Sequence, residues 1–276
     1  MLTKSVAEIP VISSPYPHIA FRDAVQVHDG LVADFPAEDQ FGAKLRMHGD
    51  MTTGDPGYET LTATSPAYKA LHDWVYSEAF IETFLEMFDE QIEMRVRSGD
   101  LLLDPCTLPR HPEPYEFRKM IGRWSVQTDN PFLFPRLDIG IGKVNYGLEN
   151  GGSGIHVDNL TRLVSILLYI DDNPTMVGGE HRLYRLEKKT PVIDKVYAAQ
   201  GNLMVASLQS NSALHDVNPV TEIEGFRKAM YMAVSCSTEI WRPHRDSALQ
   251  KLTKNRYRPT RTDRAIAKLK RAVGIG

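Results

Sequence analysis

From residue 136 onward the chain breaks into short apolar segments separated by glycine, proline and asparagine, and this spacing constrains the fold more than any other feature. The segment from Leu163 to Tyr169 is apolar at nearly every position, which is typical of a strand buried on both faces. Many short strands at such spacing predict a β-sandwich or a jelly roll. We predict strands at 138–146, 163–169, 180–186, 197–199, 203–207 and 229–235, with a glycine-rich turn at 147–154.

Two histidines and one aspartate within this part of the chain form a candidate metal site. His156 and Asp158 stand in a His-X-Asp triplet, and His215 follows far downstream. This is the ligand set of the 2-His-1-carboxylate facial triad, in which three ligands on one face of an octahedral Fe(II) leave three positions open for a co-substrate and O2. A second His-X-Asp triplet at 48–50 has no strand-like segments beside it, and we interpret it as a turn.

The residues around His156 belong to a longer pattern. A tyrosine stands ten positions before His156, the letters His-Val-Asp-Asn begin there, an arginine precedes a second tyrosine by seven positions, and Gly-Gly-Glu and His-X-Val-X-Pro follow. These elements lie at Tyr146, 156–159, Arg162, Tyr169, 178–180 and 215–219. The pattern spans residues 136 to 241 and resembles the Fe(II)/2-oxoglutarate-dependent dioxygenases, within them the prolyl 4-hydroxylase-like branch.

The resemblance implies an all-β core with added helices, namely a double-stranded β-helix (jelly roll) flanked by N-terminal helices. It also implies that His156, Asp158 and His215 hold Fe(II), with 2-oxoglutarate and O2 as co-substrates. In such enzymes 2-oxoglutarate chelates the iron through its 1-carboxylate and keto oxygen. The pattern is specific for this reaction class and is silent on the prime substrate.

The distal carboxylate of 2-oxoglutarate needs a fixed cation, and arginine offers it a bidentate match that lysine does not. The resemblance assigns this role to Arg227, twelve positions after His215, where only the neighbouring Lys228 is an alternative. It further implies that Tyr169 donates a hydrogen bond to the same carboxylate and that Tyr146 faces the open side of the iron.

The first part of the chain is predicted to extend and cover this core. We predict an edge strand at 15–22, a short helix at 25–35, and one or two helices at 67–97 that pack against the outer face of a sheet. Residues 41–65 are rich in Gly, Thr and Asp and are predicted to form a long loop, either a surface excursion or a lid over the active site.

We predict a single domain over 1–276, with a helical and pocket-forming part at 1–135, the jelly-roll core at 136–241 and a basic tail at 242–276. The tail contains eleven Lys and Arg residues but only two Asp. We interpret it either as a terminal helix docked on the acidic N-terminal half or as a contact for an anionic partner.

Bulk properties exclude several other classes of protein. A net charge of −3 gives no general affinity for nucleic acid, and two distant cysteines do not form a disulfide framework. The N-terminus lacks the apolar core of a signal peptide, and the longest apolar run is far too short for a bilayer. We therefore expect no membrane span and a cytoplasmic location.

The leading hypothesis is a dioxygenase that hydroxylates, or otherwise oxidises, an unactivated C–H bond of a small-molecule substrate, releasing succinate and CO2. The irregular segments 41–65 and 98–135 match nothing in the peptide-modifying relatives and are better suited to enclosing a small ligand. A peptidyl-prolyl hydroxylase is the alternative. From another class, a non-redox metal-binding jelly roll (a cupin-like isomerase or binding protein) shares the fold, but has no use for Arg227 and Tyr169 together.

Overall fold

A computed structural model describes residues 1–41, 48–113, 130–144 and 154–242, within which nine strands form two antiparallel sheets. The strands are β1 (His18–Phe21), β2 (His48–Thr52), β3 (Leu133–Gly142), β4 (Arg162–Tyr169), β5 (His181–Glu187), β6 (Thr190–Tyr197), β7 (Met204–Leu208), β8 (His215–Val217) and β9 (Arg227–Cys236). The helices are α1 (His28–Ala33), α2 (Pro56–Thr64), α3 (Pro66–Val75), α4 (Glu78–Met87) and α5 (Asp89–Ser98), with 3-10 turns at Val6–Glu8, Glu38–Phe41 and Pro105–Thr107.

The larger sheet has the strand order β1-β7-β4-β9-β3-β2, and the smaller sheet has the order β6-β5-β8. An isolated backbone bridge between His156 and His215 extends the smaller sheet by one residue beside β8. From β3 to β9 the chain therefore passes repeatedly from one sheet to the other, as in a jelly roll. The predicted fold class is confirmed, and β1 lies at the sheet edge as the sequence indicates.

The helices pack on the outer face of the larger sheet, where α3 and α4 contact β3. Three helices occupy the span in which one or two were predicted. The break after α3 arises at Ser77, whose hydroxyl accepts the Phe80 backbone N–H and so caps α4. Leu71 and Phe84 are fully buried on the helix faces that meet the sheet, which shows that the apolar periodicity of this segment encodes core packing.

The long loop predicted for residues 41–65 is wrong from residue 48 onward, whereas residues 42–47 lie outside the described residues. His48–Thr52 is the edge strand β2, paired with β3 with Gly49 opposite Ile141, so the second His-X-Asp triplet is part of a strand and not of a turn. Pro56–Thr64 is a helix that begins with proline in its first turn, where the missing N–H has no structural cost. The strand was missed because its pairing partner lies far away in the sequence.

The predicted strands in the second half are mostly present, with changes in their limits. The strand expected from residue 138 begins at Leu133. Two strands were missed: β6, of which only the last residue fell inside a predicted strand, and the three-residue β8. Tyr146, most of the glycine-rich turn and the tail beyond Arg242 lie outside the described residues. Among the helices that the structure describes, none has both the length and the apolar character needed to cross a bilayer.

Candidate metal and co-substrate site

Three of the predicted site residues converge at one end of the smaller sheet. His215 is the first residue of β8, and its backbone exchanges two hydrogen bonds of 2.9 Å with His156, which fixes the spacing of the two rings. Asp158 follows two residues after His156. Ligand atoms of the three side chains all lie within 4.8 Å of one another, so a single metal ion could contact each of them.

Backbone carbonyls fix the orientation of both imidazole rings. His156 Nδ1 lies 2.6 Å from the Gly154 carbonyl oxygen, and His215 Nδ1 lies 2.9 Å from that of Ala213. Because Nδ1 donates its proton to a carbonyl, the lone pair of the neutral ring is on Nε2. The two Nε2 atoms lie 3.9 Å and 3.8 Å from the two carboxylate oxygens of Asp158, so all the free donor atoms face one point.

Two polar neighbours hold the Asp158 carboxylate. Ser165 on β4 donates a hydrogen bond to Oδ2, and Arg162 Nη1 lies 3.3 Å from Oδ1. Burial by itself would raise the pKa of Asp158, but the charge of the nearby Arg162 guanidinium and the hydrogen bond from Ser165 hold it below its usual value. The carboxylate is therefore ionised at neutral pH.

Burial favours the neutral form of His156. It lowers the pKa of His156, and the nearby His215 lowers it further, although 40% of the His156 side chain is solvent-exposed. Two imidazole nitrogens and one carboxylate form a donor set that suits a divalent transition metal such as Fe(II). The residues therefore fit the metal that the sequence motif implies.

Two of the residues predicted to bind the co-substrate lie side by side, Arg227 at the start of β9 and Tyr169 at the end of β4. Arg227, at the start of β9, is 2% exposed, and its guanidinium carbon lies 4.6 Å from the ring centroid of Tyr169. Arg227 Nε and the Tyr169 hydroxyl each donate a hydrogen bond of 3.2 Å to the carbonyl oxygen of Gly179. The two residues singled out from the sequence are thus in contact.

The alternative cation, Lys228, points to the opposite face of the sheet. Its ammonium group lies 2.7 Å from Asp171 and 5.2 Å from the ring centroid of Phe35. Adjacent residues of a strand project to opposite faces, so Arg227 and Lys228 do not compete for one position. The structure therefore supports Arg227 as the candidate clamp.

The double glycine allows the chain to approach this site closely. Gly178 and Gly179 have φ values of 91° and 82°, a region that favours glycine. A Cβ atom on Gly178 would lie 2.0 Å from the Pro219 carbonyl oxygen, and one on Gly179 would lie 3.4 Å from Arg227 Cδ. The backbone conformation therefore favours glycine at both positions, and the Gly179 carbonyl lies within hydrogen-bond distance of Arg227.

Two further residues lie at the site: Tyr231, which was not found from the sequence, and His181, which the sequence suggests only as a pocket or surface residue and not as a fourth ligand. The Tyr231 hydroxyl accepts a hydrogen bond of 3.1 Å from Arg227 Nη1. His181, at the start of β5, is buried with its ring centroid 5.4 Å from that of His215. Tyr231 could have been found by counting, because the fourth residue after Arg227 lies on the same face of a strand. The position of His181 depends on the pairing of β5 with β8, which no local pattern indicates.

A cavity of about 220 Å³ lies between the two sheets and contacts this site. The three candidate ligands line it, together with His181 and Tyr231. Arg227 and Tyr169 are not among the described lining residues, but Arg227 donates a hydrogen bond to Tyr231, which is one of them. Tyr146, the third residue predicted to bind the co-substrate, lies outside the described residues.

No family model and no curated protein matches the chain. Among solved structures, a prolyl 4-hydroxylase from Phytophthora capsici is similar at 17% identity over 92% of this chain and 68% of the other, with a TM-score of 0.43. A prolyl-4-hydroxylase from Pseudomonas putida shows 14% identity over 79% and 91%, with a TM-score of 0.41. An oxidoreductase of the 2OG-Fe(II) oxygenase family from Burkholderia pseudomallei shows 13% identity over 66% and 62%, with a TM-score of 0.34. These solved structures carry the names of the group that the sequence motifs resemble.

Proposed function

We propose that this protein is an Fe(II)- and 2-oxoglutarate-dependent dioxygenase that oxidises a C–H bond of a small-molecule substrate, with release of succinate and CO2. Hydroxylation is the expected reaction. The observation that carries the proposal is the convergence of His156, Asp158 and His215 within 4.8 Å beside a cavity that Tyr231 also lines. Arg227, which contacts the cavity-lining Tyr231, would supply the fixed cation for the organic acid.

His156 and His215 would hold the metal through Nε2, and Asp158 through its ionised carboxylate. Ser165 and Arg162 keep the carboxylate charged and restrict its rotation. When bound, the iron together with 2-oxoglutarate supplies the activation of O2 that a C–H oxidation requires. Three protein ligands leave positions open for both co-substrates, whereas a structural metal site would be closed by protein.

Arg227 and Tyr169 would bind the distal carboxylate of 2-oxoglutarate. A buried guanidinium pairs strongly with a carboxylate because water does not screen the interaction. The Tyr169 hydroxyl is held beside Arg227 through their shared acceptor, the carbonyl of Gly179. This pairing of a buried arginine and a tyrosine favours the oxygenase over a non-redox metal-binding jelly roll, which needs no such clamp.

The cavity supports a small-molecule prime substrate over a peptide. Its volume of about 220 Å³ lies between the two sheets, and residues of both sheets line it. The competing hypothesis is a peptidyl-prolyl hydroxylase, because one similar solved structure is described as a prolyl hydroxylase in complex with a peptide fragment. That description concerns the other protein, and the two hypotheses predict different products.

The first test asks for the reaction class. Fe(II) and 2-oxoglutarate added without O2 should give a visible absorption band in the unaltered protein but not in Asp158→Ala. Absence of any 2-oxoglutarate-dependent band or succinate in the metal-loaded protein would refute the dioxygenase.

The second test asks for the substrate class. Succinate formation and mass-shifted products are compared between fractionated metabolite pools and proline-containing peptides. We expect the strongest stimulation from a metabolite fraction, with a product heavier by one oxygen atom. If hydroxyproline formed in a peptide faster than any metabolite product, the protein would be a peptidyl-prolyl hydroxylase instead.

A further inference from the structure

His181 is a buried histidine that the proposed mechanism has not yet used. It is 8% exposed, it lines the cavity, and its Nδ1 atom is fully buried. Within the part of the chain that the structure describes, no group hydrogen bonds to that nitrogen. The two metal-site histidines differ in this respect, since each of them has its Nδ1 bound to a backbone carbonyl.

The place of His181 on β5 puts it between the two halves of the site. Two residues before it is Gly179, whose carbonyl accepts hydrogen bonds from Arg227 and Tyr169. Two residues after it is Leu183, which pairs with His215 across β5 and β8. An organic acid that extends from the metal ligands to Arg227 therefore passes the His181 ring.

The His181 ring lines the cavity beside His215 and can offer a hydrogen bond to a bound ligand. A neutral imidazole has one N–H donor and one acceptor nitrogen. Because Nδ1 is fully buried, the nitrogen that a ligand oxygen in the cavity could reach is Nε2, and an N–H there would donate a hydrogen bond to it.

We infer that His181 is a positioning residue for the co-substrate, donating a hydrogen bond to an oxygen of the 2-oxo acid bound between the metal ligands and Arg227. This inference rests on the proposed function. In this inference the Gly-Gly-Glu-His segment has two roles: His181 contacts the ligand directly, and the Gly179 carbonyl holds Arg227 and Tyr169. A hydrogen bond to the middle of the bound acid would align it in the site. It would also weaken the binding of acids that are shorter or have another shape.

Two variants separate the hydrogen bond from the shape of the ring. His181→Leu removes both nitrogens and keeps an apolar side chain of similar size, whereas His181→Gln retains an N–H donor. The dissociation constant of 2-oxoglutarate is measured by anaerobic titration of the Fe(II) protein, and Mn(II) affinity is measured separately. We expect roughly tenfold weaker 2-oxoglutarate binding in His181→Leu, about the contribution of one hydrogen bond, and substantial recovery in His181→Gln.

The results discriminate between the possible roles. Equal 2-oxoglutarate affinity in His181→Leu and the unaltered protein would overturn the inference, as would equal losses in both variants. A purely structural role would lower Mn(II) affinity and thermal stability in His181→Leu without a specific loss of 2-oxoglutarate binding. If the unaltered Fe(II) protein shows no 2-oxoglutarate-dependent band, then the proposed function fails, which is a different outcome from a failure of His181 alone.

A measurement on the unaltered protein keeps the inference testable if His181→Leu does not fold. The Zn(II)-loaded protein with 15N-labelled histidine is titrated with 2-oxoglutarate, and the ring N–H resonances are followed. We expect one histidine outside the metal ligands to gain a slowly exchanging N–H on binding, and that resonance to be missing in His181→Gln. Unchanged histidine resonances on saturation with 2-oxoglutarate would contradict the contact.

Discussion

The two faces of the larger sheet are built from alternate residues of the same strands, yet their chemistry differs. Apart from Lys228, the side chains that β4, β7 and β9 present toward the helices are all apolar. They are Val164, Ile166, Leu168, Met204, Ala206, Leu208, Met230, Met232, Val234 and Cys236. Toward the smaller sheet, the same strands present a mixture: Ser165, Leu167, Tyr169, Val205, Ser207, Arg227, Ala229 and Tyr231. One strand therefore contributes to the main core on one face and to the site on the other.

Because of this difference, residues on the helix side of a strand should contribute mainly to stability, and their neighbours on the cavity side mainly to ligand binding. The helix side is continuous with the apolar core formed by the helices, and substitutions there remove buried surface. The cavity side carries groups such as Arg227 and Ser165, whose partners are other polar groups of the site. Neighbouring residues on one strand should therefore respond in different ways to the same substitution.

The largest effect is expected from the metal ligands on the cavity side. Asp158→Ala should abolish metal-dependent formation of succinate, because two histidines alone hold Fe(II) too weakly. The matched control is Asp50→Ala, which alters the aspartate of the other His-X-Asp triplet, on the exposed edge strand β2. Metal affinity and succinate formation are measured for both. Loss of activity in Asp50→Ala with full activity in Asp158→Ala would move the site to the other triplet.

Adjacent leucines on β4 test the two faces with one substitution. Leu168 is fully buried among the apolar residues of the helix side, whereas Leu167 lines the cavity. Leu168→Ala should lower the free energy of unfolding by about 2–5 kcal/mol and leave 2-oxoglutarate affinity unchanged. Leu167→Ala should lower it less, because its surroundings are already partly empty, but should alter the affinity. Denaturant unfolding and ligand titration would show the comparison to be wrong if both variants behaved alike.

Adjacent basic residues on β9 test the clamp. Arg227→Ala should weaken 2-oxoglutarate binding roughly a hundredfold, as expected for the loss of a buried charge-assisted pair, while metal binding persists. Lys228→Ala removes the ion pair with Asp171 on the helix side and should leave the affinity within about twofold. Affinities for both ligands are measured in each variant. The reverse pattern would assign the clamp to Lys228.

The parts of the site that are close in sequence, or that share a strand, could be predicted. His156 and Asp158 are two residues apart, and strand-like segments on both sides distinguish them from the triplet at 48–50. Even so, that triplet was wrongly interpreted as a turn, because β2 is stabilised by its pairing with β3 rather than by its own residues. Local composition does not report such a distant partner.

The remaining parts depend on register and on long-range packing. His181 comes near His215 only because β5 pairs with β8 in a register that puts Leu183 opposite His215. Tyr231 contacts Arg227 four residues away on β9. A Cβ atom on Gly140 would lie only 3.1 Å from the Tyr231 ring, so the neighbouring strand β3 favours glycine at that position. The contacts of His181 with His215 and of Gly140 with Tyr231 join residues tens of positions apart, and a single sequence does not specify them.

The smallest effects on binding and stability should come from the removal of single hydroxyl groups. The same substitution, Tyr to Phe, again distinguishes the cavity side from the helix side. Tyr231→Phe removes the acceptor of the Arg227 Nη1 hydrogen bond, so we expect up to about tenfold weaker 2-oxoglutarate binding with little change in stability. Tyr68→Phe removes a buried hydroxyl that donates to the Leu31 carbonyl beneath the helices, and should lower the free energy of unfolding by about 1 kcal/mol without changing the affinity. Calorimetric titration and denaturant unfolding are carried out on both proteins. If Tyr231→Phe bound 2-oxoglutarate normally, Arg227 would be held in place by Gly179 and Tyr169 alone, and Tyr231 would belong to the wall of the cavity and not to the clamp.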